Sequence, residues 1–399
     1  MNLLIDARNF GKSSHLAFDG QNYFWTETID ESSVVLCGDP EKEYSIEHIC
    51  KLLDMECPSI LDENQKQSLL ELGVKTRNHP AIMIQRPEDF KANLKRITEW
   101  ASEVYEVLDE YSYLNTFKKE LKLLRGMREA IFDSVSFNRW LLGKKIDKKV
   151  KNSFSTNRFG YLQRVVYNNH STRTGRIVTE SGPQLLTTQK EVRSFLKSRY
   201  RGGKIIQLDF VSLEPRVALS AAGNNSQKDV YEMFNENYFS NSLKRSQIKK
   251  LVLCALYGAG IRTLKKILPE NVNPKEAVKY IRDSMNFNDV VNLKKEELEK
   301  NSFMSNIFGR NIVPSSDRDS IIFNNWVQSS AVDVSLVGFQ NLVEKLRSEK
   351  LDFEPLFLIH DALIIDASPD MVKRIEKDSN ISIFIKELGH FPLSVEYLS

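Results

Sequence analysis

The chain has 399 residues, 41% hydrophobic and 27% charged, which gives it enough apolar material for a large core and argues against wholesale disorder. Its 56 Lys and Arg nearly balance 53 Asp and Glu, for a formal charge of +3, so any cationic surface must be local. No run approaches the length of an uncharged apolar membrane span. The four cysteines, at positions 37, 50, 57 and 254, show neither Cys-x-x-Cys nor zinc-like spacing and suit a reducing compartment. The start, Met-Asn-Leu-Leu-Ile-Asp-Ala-Arg, lacks the pattern of a secretion signal, so a cytoplasmic location is expected.

Residues 1–85 read as a small accessory module. Strands are expected at Asn2–Ile5 and Val34–Cys37, and helices at Ile46–Met55 and Asn64–Leu72, with His79-Pro80 as a break. Asp6 follows a strand, and Asp54 and Glu56 form a bare Asp-x-Glu. These are read as surface acids, because the segment is too short for the usual nuclease domain. From Pro87 to Leu142, apolar residues recur at helical spacing (Leu94, Ile97, Ala101, Val104, Leu108, then Leu121, Leu124 and Met127), predicting two long helices with a turn near Tyr111–Asn115. A basic cluster follows at Lys144, Lys145, Lys148, Lys149 and Lys151; such a tip can grip phosphates without reading bases.

The second half reads as strand, helix, helical lobe, helix and hairpin. Asp209 ends the apolar run Lys-Ile-Ile-Gln-Leu-Asp, with Ser212 placed to cap a helix that begins Leu213-Glu214-Pro215. Asp361 lies at the bend of a hairpin formed by Glu354–Ile359 and Leu363–Asp366. Between them, Arg245, Lys249, Leu253 and Tyr257 recur every four residues on one helical strip. Carboxylates able to hold two metal ions, together with a cationic helix, are what phosphoryl transfer from a nucleoside triphosphate requires.

These segments resemble the motifs of family A DNA polymerases. Asp209-Phe-Val-Ser-Leu-Glu214-Pro-Arg216 is similar to the first catalytic motif, Asp-Tyr-Ser-Gln-Ile-Glu-Leu-Arg. Arg245, Lys249, Tyr257 and Gly258 keep the spacing of the second, and His360-Asp361 opens the third, in which Ala362 replaces the usual Glu. Thr172-Arg-Thr-Gly175-Arg176 with Pro183-Gln184-Leu185, Phe308-Gly309-Arg310, and Asn324, Gln328 and Asp333 resemble supporting elements, with Ser329 in place of a Gly and Tyr231 in place of a His.

The resemblance implies an α+β right-hand fold. Its parts are a helical thumb over 86–150, a palm with an antiparallel sheet over 151–228 and 306–399, and helical fingers over 229–305. It implies template-directed addition of dNTPs to a primer 3′-hydroxyl with two Mg²⁺ ions, replaceable by Mn²⁺, without proofreading. Asp209, Asp361 and the Phe210 carbonyl would hold metal, while Lys249 would act on the leaving phosphates. Arg245, Lys249, Leu253, Tyr257, Glu214 and Tyr231 would bind the nucleotide, with Glu214 excluding a 2′-hydroxyl. Arg176, Arg216, Arg310, Asn324, Gln328 and His360 would touch primer–template DNA, together with Lys144, Lys145, Lys148 and Lys149. A monomer is expected. Two other readings stay open: a related nucleotidyl transferase with relaxed sugar or template use, and a catalytically weak DNA-binding replication accessory protein.

Overall fold

The structure is a computed structural model that describes residues 1–28, 33–37, 50, 55–56, 59–74, 79–144, 147–225, 228–258, 261–266, 268–270, 272–378, 381–386 and 388–398. It is an α+β protein, and the chain divides into two compact units, Met1–Leu121 and Lys122–Ser399.

In the first unit, strands β1 (Asn2–Ile5), β2 (His15–Phe18), β3 (Tyr23–Thr26) and β4 (Ser33–Cys37) form a sheet ordered β3-β2-β1-β4, with β4 parallel to β1. Helices α1 (Glu63–Glu71) and α2 (Pro87–Glu110) follow. Strands β2 and β3 were not foreseen, whereas the expected helix Ile46–Met55 falls largely outside the described residues. The long helix α2 shares the sheet's core. Phe90 meets Phe10 edge-on, Tyr105 meets Phe18, and the Tyr23 hydroxyl donates to the Thr98 carbonyl at 2.7 Å. The expected division at residue 85/86 therefore lies inside this compact unit.

The next helix, α3 (Leu114–Arg125), stops at Gly126 rather than running on toward Leu142. The reason is pairing downstream: Ile131–Phe132 joins Leu196–Lys197 as a short antiparallel ladder, which a continuous helix would forbid.

The second unit is built on a five-stranded antiparallel sheet of β5 (Lys204–Phe210), β6 (Phe353–Ile359), β7 (Ala362–Ala367), β8 (Ser382–Ile385) and β9 (Gly389–Tyr397), ordered β6-β7-β5-β9-β8. Strand alternation puts Ile206, Leu208 and Phe210 on one face, where the Phe210 ring packs 4.8 Å from Phe339. Gln207 and Asp209 take the other face. A second apolar core is built from helices that include α4 (Leu213–Ala221), α5 (Val230–Phe239), α6 (Arg245–Tyr257), α7 (Pro274–Asp283) and α8 (Phe287–Asn301).

The 30-residue helix α9 (Asp319–Ser348) belongs to both cores. Its first half gives Ile322, Phe323, Trp326 and Val327 to the helical lobe, and its second half gives Val334, Phe339 and Val343 to the sheet core. Near its middle, fully buried Asp333 accepts from Arg310 Nη2 at 2.7 Å and Nε at 3.0 Å, and from Asn306 Nδ2 at 2.6 Å.

Because the Arg310–Asp333 pair is buried, removing one partner strands the other charge. Arg310→Ala should cost about 3–5 kcal/mol, whereas Arg310→Met combined with Asp333→Leu should cost clearly less than that. Urea denaturation monitored by fluorescence measures both; equal losses would show that the ion pair is not the source of the penalty.

Candidate active site

Asp209 is the next-to-last residue of β5, and Asp361 sits in the two-residue turn between β6 and β7. Register brings them side by side: Ala362 pairs with Asp209 across β5/β7, and the Phe210 amide donates to the Asp361 carbonyl at 3.2 Å. On the other flank Ser394 pairs with Asp209, and its hydroxyl donates to the Asp209 carbonyl at 3.2 Å. Both turns carry a non-glycine residue in the left-handed region, His360 at φ 55° and Ser212 at φ 57°. Such residues cost roughly 1–2 kcal/mol each and aim what precedes or follows them. Ser212 occupies the N-cap position of α4 but makes no side-chain cap bond, because in this conformation its hydroxyl turns toward Tyr231 instead.

Among the described residues, neither carboxylate forms an ion pair, and Asp209's side chain accepts no hydrogen bond from the protein. Burial first, and then the like charge of Asp361, push the Asp209 carboxyl up to about 6. Burial raises Asp361 as well, opposed by Arg176 and Lys249. Two half-buried carboxylates side by side, the charge of Asp361 raising Asp209, with oxygen donors only, form a donor set that fits a hard divalent cation. No cluster of three or more His, Cys, Asp or Glu is present among the described residues. Ala362, directly opposite Asp209 and 2% exposed, is why a third carboxylate is missing from this edge.

The carboxylates open into a cavity of about 820 Å³, a size suited to a nucleotide. Arg245, Lys249, Leu253 and Tyr257 line it along α6, and Glu214, Tyr231, Arg176, Gln328 and His360 line it as well. Arg245 donates to Asp229 Oδ2 at 2.8 Å, and its guanidinium lies 5.1 Å from the centre of the buried Tyr231 ring. Lys249 is exposed and makes no ion pair among the described residues. The Tyr257 hydroxyl donates to Glu214 Oε2, and Arg176 Nη2 reaches Glu214 Oε1 at 3.4 Å. Burial and then the Glu214 charge push the Tyr257 hydroxyl well above the ordinary phenol range. Beyond Tyr257 the helix ends at Gly258, at φ 74°, where a Cβ would fall 2.7 Å from Ser320 on α9. With its amide oriented so that the oxygen faces Arg176, Gln328 accepts from Arg176 Nη2 at 3.1 Å and donates to Thr174 Oγ1 at 2.8 Å.

Several expected residues lie elsewhere. Arg216 and Arg310, expected to face DNA, are buried at 3% and 1% exposure. Arg216 donates to the Lys228 carbonyl at 2.8 Å. Arg310 holds Asp333 and donates to the Asn169 carbonyl at 3.1 Å, so both arginines brace the frame behind the cavity. Asn324, half-buried on α9, does not line the cavity. Lys144, Lys148 and Lys149 are exposed outside it, and Lys145 lies outside the described residues.

The structure also adds groups. Arg193 Nη1 donates to the buried Gln207 at 2.9 Å, and Lys190 pairs with Glu396 at 2.7 Å, two residues along from Ser394. These charges bear on Asp209, with Arg193 and Lys190 lowering its carboxyl and Glu396 raising it. The alternation that puts Gln207 on the face of Asp209 was legible in the sequence; the partners on Lys190–Phe195 and β9 were not.

The sequence model of DNA polymerase family A matches residues 147–397. The chain belongs to that family. No curated protein matches the chain. Among solved structures, this polymerase-family chain is similar to the POL domain of Pol1 from M. smegmatis in complex with DNA primer-template and dNTP. The identity is 17%, the match covers 62% of this chain and 50% of that one, and the TM-score is 0.48. The chain thus spans half the length of that structure. No described helix of this family member is long and apolar enough to cross a membrane.

The raised Asp209 pKa has a direct consequence for stability. A carboxyl whose folded value lies above its ordinary value weakens the fold once ionised, and that penalty fades as pH falls from about 6 toward the ordinary carboxylate range. In the presence of a chelator, Asp209→Asn should therefore raise Tm at pH 7.5 by roughly 1–3 °C, with the difference shrinking by pH 5. Paired thermal melts across this range check it; a gain that is constant with pH would remove the ionised carboxylate as its cause.

Proposed function

We propose that this chain is a DNA-directed DNA polymerase that adds dNTPs to a primer 3′-hydroxyl on a template and releases pyrophosphate. The observation that carries this reading is the pairing, across one nucleotide-sized cavity, of two uncompensated carboxylates, Asp209 and Asp361, with the Lys249 and Arg245 cations. Asp209, Asp361 and the Phe210 carbonyl would hold two Mg²⁺ ions, which Mn²⁺ could replace. Bound there, the ions would neutralise charge on the attacking and leaving oxygens. Arg245 and Lys249 bind the triphosphate tail. Lys249, free of a protein partner among the described residues, can give a proton to the departing pyrophosphate as the bond between the α-phosphorus and its bridging oxygen breaks.

Glu214, held from both sides by Tyr257 and Arg176, forms a fixed wall where the sugar would lie and leaves no room for a 2′-hydroxyl. Leu253 borders the same cavity on the side of the 3′-oxygen, and Tyr231 stiffens Arg245 from below. Gln328 and Arg176 can offer donors to the primer–template minor groove, and His360 can position the primer end.

The β5–β9 sheet with its flanking segments acts as palm (151–228 and 306–399), the helices α5 to α8 as fingers (229–305) and 86–150 as thumb. Lys144, Lys145, Lys148 and Lys149 contact DNA phosphates. The protein works as a monomer in the cytoplasm and without proofreading. In support of the last point, Asp6 is buried and clamped by Arg8, whose Nε donates at 2.9 Å, and Glu56 is exposed and distant in sequence. Burial raises the Asp6 carboxyl, but the Arg8 contacts outweigh it and hold the group below the usual range, already neutralised by protein.

Primer extension tests the whole reading. Asp209→Asn or Asp361→Asn should reduce extension by roughly a thousandfold or more while primer–template affinity stays within about twofold. Near-wild-type extension by either variant overturns the assignment. Glu214→Ala should raise rNTP incorporation relative to the matching dNTP by roughly tenfold or more, measured in competition; an unchanged ratio would place the sugar barrier elsewhere.

A further inference from the structure

From Ser134 to Thr179 the sequence carries ten Lys and Arg and a single acid, Asp147, in a chain whose formal charge is only +3. The balance of the whole therefore conceals one strongly cationic stretch and a net-acidic remainder. Lys144, Lys148, Lys149, Lys151 and Arg158 are all exposed, and none makes an ion pair among the described residues. Elsewhere surface lysines find carboxylates readily: Lys122, Lys190, Lys228 and Lys295 each lie within 3.0 Å of one.

This stretch is fastened beside the cavity at one point. The helix Lys148–Asn152 runs into Ser153, whose Oγ accepts from the amide of cavity-lining Gln184 at 3.2 Å. The chain then makes a tight turn. Asn157 Oδ1 accepts from the amides of Phe159 at 2.9 Å and Tyr161 at 3.1 Å, and Gly160 adopts φ 81°. The base of the turn is fastened by Phe132 donating to the Gly160 carbonyl at 3.0 Å and Leu162 donating to the Ala130 carbonyl at 2.8 Å. At its tip Phe159 is 68% exposed, with the Arg158 guanidinium 4.7 Å from the ring centre.

The residues that lead up to Phe159 in the turn, Ser155, Thr156, Asn157 and Arg158, are all polar, whereas the centre of a protein-partner interface is apolar and depleted in charge. A fixed aromatic face beside a guanidinium, a short way along the chain from exposed lysines that make no ion pair among the described residues, is instead the combination that binds a flexible polyanion with flat bases.

We propose that the Arg158–Phe159 turn stacks on an unpaired base of single-stranded DNA while Lys148, Lys149 and Lys151 hold the adjoining phosphates. The site is separate from the cavity, whose lining does not include Phe159. Only the identity of the polyanion as DNA rests on the polymerase reading.

Fluorescence anisotropy with labelled oligo(dT) and with a fully paired duplex of the same length tests the proposal. Phe159→Ala should weaken oligo(dT) binding by roughly tenfold and leave duplex binding unchanged. Phe159→Trp should restore it. Lys148→Gln with Lys149→Gln should weaken both ligands and flatten the dependence of log affinity on log salt by about 1.5. Thermal melts of the Phe159 variants should match wild type, because the ring is exposed. Unchanged oligo(dT) affinity in Phe159→Ala, or an equal loss for duplex and single strand, would overturn the stacking contact. Tighter binding of oligo(U) than oligo(dT) by wild type would overturn the choice of DNA. Failure of the polymerase reading would show separately, as wild-type protein that binds oligo(dT) yet does not extend a primer.

Discussion

The buried pair of Arg310 and Asp333 is the constraint on which the rest of the larger unit depends. It draws together three segments that are distant in the chain: the Asn169–Arg176 stretch, the Asn306–Arg310 turn and the middle of α9. Arg310 can enter this space only because residue 175 is glycine, since a Cβ there would fall 2.5 Å from the guanidinium carbon. Fixing Gly175 fixes its neighbours. Thr174 meets Gln328, and Arg176 is delivered to the cavity beside Glu214. A buried ion pair of this kind adds little net stability relative to apolar packing, because desolvation of both charges offsets their attraction. Its effect here is geometric: one arrangement of the three segments satisfies it and others leave a charge stranded.

Around this frame, the charged groups fall into two classes. Most acids near the core are matched by a guanidinium: Asp229 by Arg245, Asp366 by Arg199, Asp333 by Arg310 and, in the smaller unit, Asp6 by Arg8. Asp209 and Asp361 are the contrast, half-buried and paired with nothing among the described residues. Folding tolerates this only because the site stays open to solvent, and the cost appears as carboxyl groups held above their usual range. Lys249 and Arg245 differ in the same sense. Arg245 is tethered, so an incoming anion must compete with Asp229; Lys249 has no such competitor among the described residues.

The cores of the fold were legible in sequence wherever apolar runs ended on an unexpected charge. Lys204–Leu208 before Asp209 and the two runs around His360-Asp361 defined the strands almost to the residue, and the four-residue spacing of Arg245, Lys249, Leu253 and Tyr257 defined the wall facing them. What could not be read was which charges are buried. Arg216 and Arg310 look in sequence like Arg176, yet only tertiary packing decides that two of the three brace the frame and one faces the cavity. Ser212 misled in a related way: a serine before a helix predicts a cap, but the sharp exit from β5 requires a left-handed residue, and that geometry turns the hydroxyl away. The strands His15–Phe18 and Tyr23–Thr26 are four residues each, too short for alternation to stand out.

Helix α6 shows how the two halves of the larger unit bear on one chemistry. Its C-terminal end is pinned, since Gly258 lies against Ser320 on the first turn of α9 and the Tyr257 hydroxyl is held by Glu214 at the start of α4. Its N-terminal end is held by the Arg245–Asp229 pair, in which Asp229 uses one oxygen for Arg245 and the other to cap α5. An anion that takes Arg245 therefore frees one carboxylate oxygen without uncapping α5, so capture of the ligand leaves the helical lobe intact. Lys249 sits between these two fixed ends. Its place relative to the Asp209–Asp361 edge is consequently held by α4 and α9, both of which give side chains to both cores.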